Sequence, residues 1–351
     1  MLNRSEPPHS VKLSSAVQTL RETIPNKGGL IDQHQRPISY ARLSITELCN
    51  FRCSYCLPHG FGKKSKLSKE LSVAEYRVLI AALAEIGIKK IRITGGEPVL
   101  RPDLLEILRV VQQSPVEQLY ISTNGYRLKD FLAEWDECEV KGFNVSIDSL
   151  DPDKFAALTG HALLPAIITA IDKALTHYRF KIKINAVLMQ GQERQQLKHA
   201  LAFIRDREVD LRFIELMRTH SNSEVFASDH VRAEGVAAQL VNDGWTPVHS
   251  DATAGPAQCY EHKDYRGRIG LIRPYQDHFC ERCNRIRVNA DGGLHSCLFA
   301  AEQTSLRRSL ARADQAALVA QLRASVWKKP AAHHLHASDP GLIQELAQIG
   351  G

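Results

Sequence analysis

Six of the eight cysteines lie in two triplets, Cys49, Cys53 and Cys56 near the start and Cys280, Cys283 and Cys297 near the end. The first has the spacing C-x3-C-x2-C. Three thiolates at this spacing can each hold one corner of a cubane [4Fe–4S] cluster, which leaves the fourth iron open to a small molecule. Such a cluster is a reaction centre and not only an electron carrier. Structural zinc normally takes four ligands in two close pairs, and the x3 spacing fits that poorly. A disulfide framework suits short secreted chains, whereas this one has 351 residues and no secretory apolar region. The second triplet, C-x2-C-x13-C, leaves two readings open. His278 and His295 flank it and would complete a Cys3His zinc site, while the thiols alone would hold a second cluster. Cys138 and Cys259 stand apart and read as small structural apolar side chains.

Basic residues form the second chemical theme. Arg285 and Arg287 follow Cys283 at i and i+2, so on an extended segment both forks point the same way, a ready polyphosphate clamp. Alternating arginines also suit a solvated strand face. Arg42 and Arg92 each lie near the start of an expected strand, followed by one apolar residue, and Lys183 lies in another. Inward-facing cations on barrel strands are costly without an anion to meet them.

The elements that must position these residues alternate short β-rich runs with helical periodicity. Strands are expected at Ala41–Thr46, Lys90–Thr94, Gln118–Ser122, Gly142–Ile147, Phe180–Val187 and Leu211–Glu215. Ser72-Val-Ala-Glu75 is a capping box for a helix through Ile86, with Gly87 as its left-handed end, and another helix spans Pro102 to Gln113. Six βα units imply an α/β parallel sheet with right-handed crossovers. The unusual residues cluster at strand C-termini: Thr94-Gly-Gly-Glu97-Pro98, Ser122-Thr-Asn-Gly125, Ser146-Ile-Asp-Ser149 and Glu215-Leu-Met217. In a parallel barrel that rim carries the chemistry. Glu97 beside two glycines suits the amino group of a bound amino acid. Asp148-Ser149 alone would cap the helix near Asp151-Pro152.

Bulk properties are ordinary, with 44% hydrophobic residues, 24% charged residues and a net charge of +6. No apolar run approaches a membrane span and no Lys/Arg tract of the nucleic-acid type is present, so neither partner is expected. Free thiols imply a reducing compartment, read as cytoplasmic. Residues 1–36 form a polar N-terminal extension with a short possible helix at Val11–Ile24; a core follows over 37–255, a second-triplet region over 256–327 and a tail over 328–351.

From about Arg42 to Gly351 the chain resembles the GTP 3′,8-cyclases of molybdenum-cofactor biosynthesis, members of the radical SAM superfamily. The resemblance rests on Thr46-Glu-Leu-Cys49-Asn-Phe-Arg-Cys53-Ser-Tyr-Cys56, Arg92-Ile-Thr-Gly-Gly-Glu-Pro98, Asn185-Ala-Val-Leu-Met189 and Gly255-Pro-Ala257. The Phe279-to-Arg287 block, Leu294-His-Ser-Cys297 and the terminal Gly350-Gly351 complete it. It implies an incomplete (βα)6 TIM-like radical SAM barrel whose C-terminal cluster-binding segment closes the open side. It also implies two [4Fe–4S] clusters and S-adenosylmethionine (SAM), with Tyr55, Gly96, Ser146 and Met217 at SAM. Arg42, Arg92, Thr123, Lys183, Arg285, Ile286 and Arg287 would contact GTP, with Glu97, Arg212, Gly350 and Gly351 as further candidates. The implied chemistry cleaves SAM with one electron, removes the C3′ hydrogen of GTP and joins C3′ to C8. A reduced flavodoxin- or ferredoxin-type donor and a homodimer are implied partners. Thr46-Glu47, where the family often has Thr-Asp, Met217-Arg218 and the long N-terminal extension are departures. A radical SAM peptide-modifying enzyme with an auxiliary cluster, or a zinc-binding nucleic-acid module, are the alternatives.

Overall fold

The computed structural model describes residues 29–57, 60, 69–248 and 255–350; the expected helix at Val11–Ile24 and Gly351 lie outside them. Six parallel strands pair in chain order: β1 (Tyr40–Ser44), β2 (Lys90–Thr94), β3 (Gln118–Thr123), β4 (Gly142–Ser146), β5 (Lys181–Leu188) and β6 (Asp210–Glu215). Between them lie α1 (Val73–Glu85), α2 (Leu104–Gln112), α3 (Leu128–Glu137), α4 (Pro152–Thr159), α5 (Leu164–His177) and α6 (Glu193–Ile204). The Ser72–Glu75 capping box forms both of its bonds at the start of α1. Asp151, not Asp148, caps α4, accepting from the amides of Asp153 and Lys154. The first strand stops at Ser44, short of Thr46, because the Thr46 carbonyl accepts instead from Gly96 (2.8 Å) in the loop after β2.

Strand alternation divides the sheet cleanly. Leu43, Ile91, Ile93, Ile121, Phe143, Val145, Ile184 and Phe213 are buried against the helices. The opposite face is polar. Arg101 braces the two layers: its guanidinium donates to the carbonyls of Ile45 (2.5 Å) and Leu71 (2.6 Å) and to the Asp103 carboxylate (2.5 Å).

The C-terminal region lengthens the six-stranded core at both edges. After α7 (Ser223–Asp229) and α8 (Glu234–Asn242) come β7 (Thr246–Val248), β8 (Gln258–Glu261) and β9 (Arg268–Ile272), with β9 parallel to β6. On the other side β10 (Arg285–Val288) runs parallel to β1, followed by β11 (Gly293–His295) and β12 (Thr304–Ser305). Helices α9 (Arg307–Ala311) and α10 (Gln315–Trp327) cover that edge, α10 packing on α1. The strand order is β12-β11-β10-β1-β2-β3-β4-β5-β6-β9-β8-β7, an open sheet among the described residues. No single helix among those residues is long and apolar enough to cross a membrane.

Replacing Arg101 with Met strips two buried carbonyls and a carboxylate of a charged donor. It should lower the unfolding free energy by about 3 kcal/mol. A urea titration should show the midpoint falling with the slope unchanged.

Candidate functional site

All eight parallel strands contribute side chains to one cavity of about 270 Å³, so the sheet curls around it. The parallel register sets Arg42 opposite Arg92 on one side and Arg287 on the other. Adjacent strands lie about 4.8 Å apart, and like charges at that spacing repel. Arg92 and Arg287 are nonetheless nearly inaccessible. Burial, with Arg42 and Arg285 adding to it, pushes the Arg287 pKa far below its ordinary value. Asn144 Oδ1, Asn185 Oδ1 and Arg212 Nε, all from cavity-lining residues, are buried without a hydrogen-bond partner. A site with these properties is shaped for a polyanion that also offers donors and acceptors.

Cys49, Cys53 and Cys56 lie in the loop after β1 and line the C-terminal end of the cavity. Side chains from other rim loops fix that loop. Asn124 Nδ2 donates to Asn50 Oδ1 (2.9 Å) and lies 3.8 Å from Cys49 Sγ. The Tyr55 hydroxyl donates to Asp148 Oδ2 (2.7 Å), and Asn222 donates to the carbonyls of Tyr55 and Met217. Phe51 stacks on His161 with ring centroids 5.2 Å apart. Gly96 allows the closest approach, since a Cβ there would collide with the carbonyl of Leu48. Burial pushes the Cys49 thiol up to about 11 and Cys56 to about 12, so a bound metal must draw the protons off.

The second triplet sits at the other end. Cys280 and Cys283 precede β10, which runs parallel to β1, while Cys297 follows the antiparallel β11. Strand rise puts roughly 20 Å between the two levels. Burial raises the Cys283 thiol, but Lys329 and Arg285 outweigh it and hold the pKa at about 6. Neither flanking histidine lines the cavity with the three thiols. His278 is exposed and paired with Glu281 (2.5 Å), and His295 is buried opposite Arg287. Among the described residues no three His, Cys, Asp or Glu side chains converge as one metal ion requires. Three thiols that face one cavity fit a cubane, where each binds its own iron.

Of the residues singled out in the sequence, the six cysteines, Tyr55, Gly96, Ser146, Met217, Arg42, Arg92, Thr123, Arg212, Arg285 and Arg287 line the cavity. Four do not. Ile286 is fully buried, because alternation along β10 turns it into the helix-facing core, away from Arg285 and Arg287. Glu97 is engaged within the chain. It is 0% exposed and accepts from Thr123 Oγ1 (2.8 Å), the Asn124 amide (2.6 Å) and the Val99 amide (3.2 Å). Lys183 shares the inner face of β5 but lies 3.7 Å from Asp210; burial and Arg212 depress its pKa to about 7. Gly350 takes a left-handed φ of +67°, and a Cβ there would strike Thr94. Arg287 donates to the carbonyls of Gly350 (2.8 Å) and Ile349 (3.2 Å), while Leu346 and Ala347 line the cavity. The chain end is therefore built into the site as far as Gly350.

Sequence reasoning missed Tyr40 and Asn222, and it placed Asp148 on the rim without its bond to Tyr55. Tyr40 lies two residues before Arg42, and that spacing was the available signal. Its hydroxyl accepts from Arg92 Nε (2.6 Å), which orients the guanidinium. Burial raises its pKa, but Arg92, Arg42 and Lys90 together hold it near 7.

Comparison with known proteins follows this geometry. The Radical SAM superfamily model matches residues 43–204 and the Molybdenum Cofactor Synthesis C model residues 209–335. A GTP 3′,8-cyclase of Actinobacillus pleuropneumoniae serotype 5b (strain L20) is 42% identical over 93% of this chain and 96% of its own length. Those of Actinobacillus succinogenes and Haemophilus influenzae (strain PittGG) are each 41% identical, over 94% and 92% of this chain and 100% and 96% of their own lengths. Among solved structures, Streptococcus suis SuiB bound to precursor peptide SuiA matches with a TM-score of 0.62. It is 11% identical over 90% of this chain and 77% of its own, a likeness of fold.

Gly96→Ala should leave the protein folded but displace the Leu48 backbone. Anaerobic reconstitution should then show iron lost from the first triplet, with the thermal midpoint nearly unchanged. Titration of Tyr40 is checked by 13Cζ-labelled tyrosine NMR on the metal-free protein: one resonance should move near pH 7 and vanish in Tyr40→Phe. Because the folded pKa lies below the unfolded value of about 10, the unfolded state binds more protons between pH 7 and 10. Wild-type stability should therefore rise relative to Tyr40→Phe across that window, and this advantage should be absent below pH 7.

Proposed function

Because this chain belongs to the GTP 3′,8-cyclase family, we propose that its cavity converts GTP to 3′,8-cyclo-7,8-dihydro-GTP, a step of molybdenum-cofactor biosynthesis. The chain is a radical SAM enzyme that uses S-adenosylmethionine and a [4Fe–4S] cluster. The observation that best supports the substrate is the arginine layer set between two cysteine triplets at opposite ends of one cavity.

Cys49, Cys53 and Cys56 would hold the first cluster, with Tyr55, Gly96, Ser146 and Met217 around S-adenosylmethionine. When bound, these groups supply the one-electron chemistry that removes a hydrogen atom from C3′ of the nucleotide. The remaining work belongs to side chains. Arg42, Arg92, Arg285 and Arg287 grip the triphosphate, with Thr123 and Arg212 as polar contacts and Lys183 adding positive field from beside Asp210. Arg92 is pre-aimed by Tyr40 and by the Ile121 carbonyl (3.2 Å), so little orientation is left to occur on binding. Arg287 holds the tail at Gly350. Cys280, Cys283 and Cys297 would hold a second [4Fe–4S] cluster, which would supply an open iron to bind the guanine base. Enclosure by the tail excludes water from the reacting carbon. The electron is read as coming from a reduced flavodoxin- or ferredoxin-type donor, and the enzyme as a cytoplasmic homodimer; the family resemblance supports both.

Anaerobic incubation with S-adenosylmethionine, dithionite and each nucleoside triphosphate in turn should yield the cyclised product from GTP alone, identified by mass. Cys53→Ala should abolish cleavage of S-adenosylmethionine, whereas Cys283→Ala should cleave it without cyclising GTP. Arg287→Ala should weaken GTP binding by on the order of 1.5–3 kcal/mol, the scale of charged hydrogen bonds. Its thermal midpoint should barely move. Normal GTP affinity in a destabilised Arg287→Ala protein would make the pair structural.

A further inference from the structure

Lys329 is the most deeply enclosed cation among the described residues, at 1% exposure. It lies two residues past the end of α10, where the helix dipole favours positive charge, and Pro330 prevents the helix from continuing. Its Nζ donates to the carbonyl of Arg285 (3.2 Å) and to that of Ser296. These carbonyls belong to the second triplet's own segments, two residues after Cys283 and one before Cys297. Lys329 lines the cavity together with Cys280, Cys283 and Cys297.

Two neutral carbonyls orient an ammonium but do not neutralise it, and a buried unpaired charge costs several kcal/mol. No carboxylate among the described residues pairs with it: the buried acids Asp32, Glu97, Asp148, Asp210 and Glu215 are engaged elsewhere. The nearby groups able to carry the missing negative charge are the three thiolates. A [4Fe–4S]2+ core held by three thiolates has a net charge of −1, and −2 once it gains an electron.

We propose that Lys329 is the fixed counter-charge of the second cluster, a positioning residue that favours its reduced state. This rests on the second-cluster reading above. The cation is held in place from outside. Gln33 Nε2 donates to the Lys329 carbonyl (3.2 Å). Arg36, paired with Asp32 (2.6 Å), donates to the carbonyls of Pro330 (2.6 Å), Ala331 (2.7 Å) and Cys280 (3.0 Å). One arginine thus locks the segment that carries the charge to the segment that carries the ligand. Fixed charges and donors around metal ligands tune the metal they hold.

The test uses the reconstituted full-length enzyme and its Lys329→Arg, Lys329→Gln and Lys329→Met variants. Iron is counted, and both clusters are followed by EPR in a redox titration, with the first as internal control. In Lys329→Gln and Lys329→Met the reduced-to-oxidised ratio of the second cluster should fall about tenfold at fixed solution potential. The first cluster should be unmoved and Lys329→Arg should restore most of the change. Selective loss of iron from the second site in Gln and Met, but not Arg, would equally support a required counter-charge. An unchanged ratio with full iron would overturn the proposal, as would equal iron loss in all three variants. Wild-type protein holding iron for only one cluster would instead remove the second-cluster reading, and the proposal with it.

Discussion

Three arginines from adjacent parallel strands, Arg287, Arg42 and Arg92, face the same interior at the same level. Strand spacing is fixed by backbone hydrogen bonds at about 4.8 Å, so they cannot move apart without breaking the sheet. Their repulsion must be offset locally. Tyr40 and the carbonyls of Ile349 and Gly350 do part of this, and Asp210 does the same for Lys183, Arg212 and Arg268. The apolar outer face, packed on the helices, supplies the stability that lets the inner face remain charged.

A second constraint is the direction of the strands. A loop that follows β1 and a loop that precedes its parallel neighbour β10 must lie at opposite ends of the sheet. The two cysteine triplets are therefore kept apart by the strand length, with the cations between them. Each end is stiffened by polar contacts that reach far along the sequence. Glu97 joins the loops after β2 and β3, Asn124 extends that chain to the first triplet, and Asp148 and Asn222 hold Tyr55 from two further loops. Buried networks of this kind specify one arrangement only when every member is satisfied.

Both ends of the described chain contribute to closure. The bridge between Ile31 and Pro37 presents Asp32 and Arg36 to the segment after α10, while the tail places Leu346 and Ala347 in the cavity wall and Gly350 against Arg287. The Arg36 bonds join residues nearly 300 positions apart. Segments that would fray in isolation are ordered here because charged donors need their carbonyls.

The sequence by itself determined the local structure and the inventory of chemistry. Alternation set the strands, the Ser72–Glu75 box set the start of α1, and cysteine spacing indicated an open cluster. These signals are carried by neighbours a few positions apart, so they can be read without the fold. The tertiary structure decided which way side chains were spent. Pleating turned Ile286 out of the cavity while keeping Arg285 and Arg287 in it, and burial made Glu97 a brace for Thr123 and Asn124. Tyr40 gained its role only when β2 brought Arg92 alongside, and Lys329 only when α10 delivered it among the second triplet's segments. Charge and hydrogen bonding act across space, and the distances they depend on are set by strand register and chain crossing, which composition and spacing do not encode.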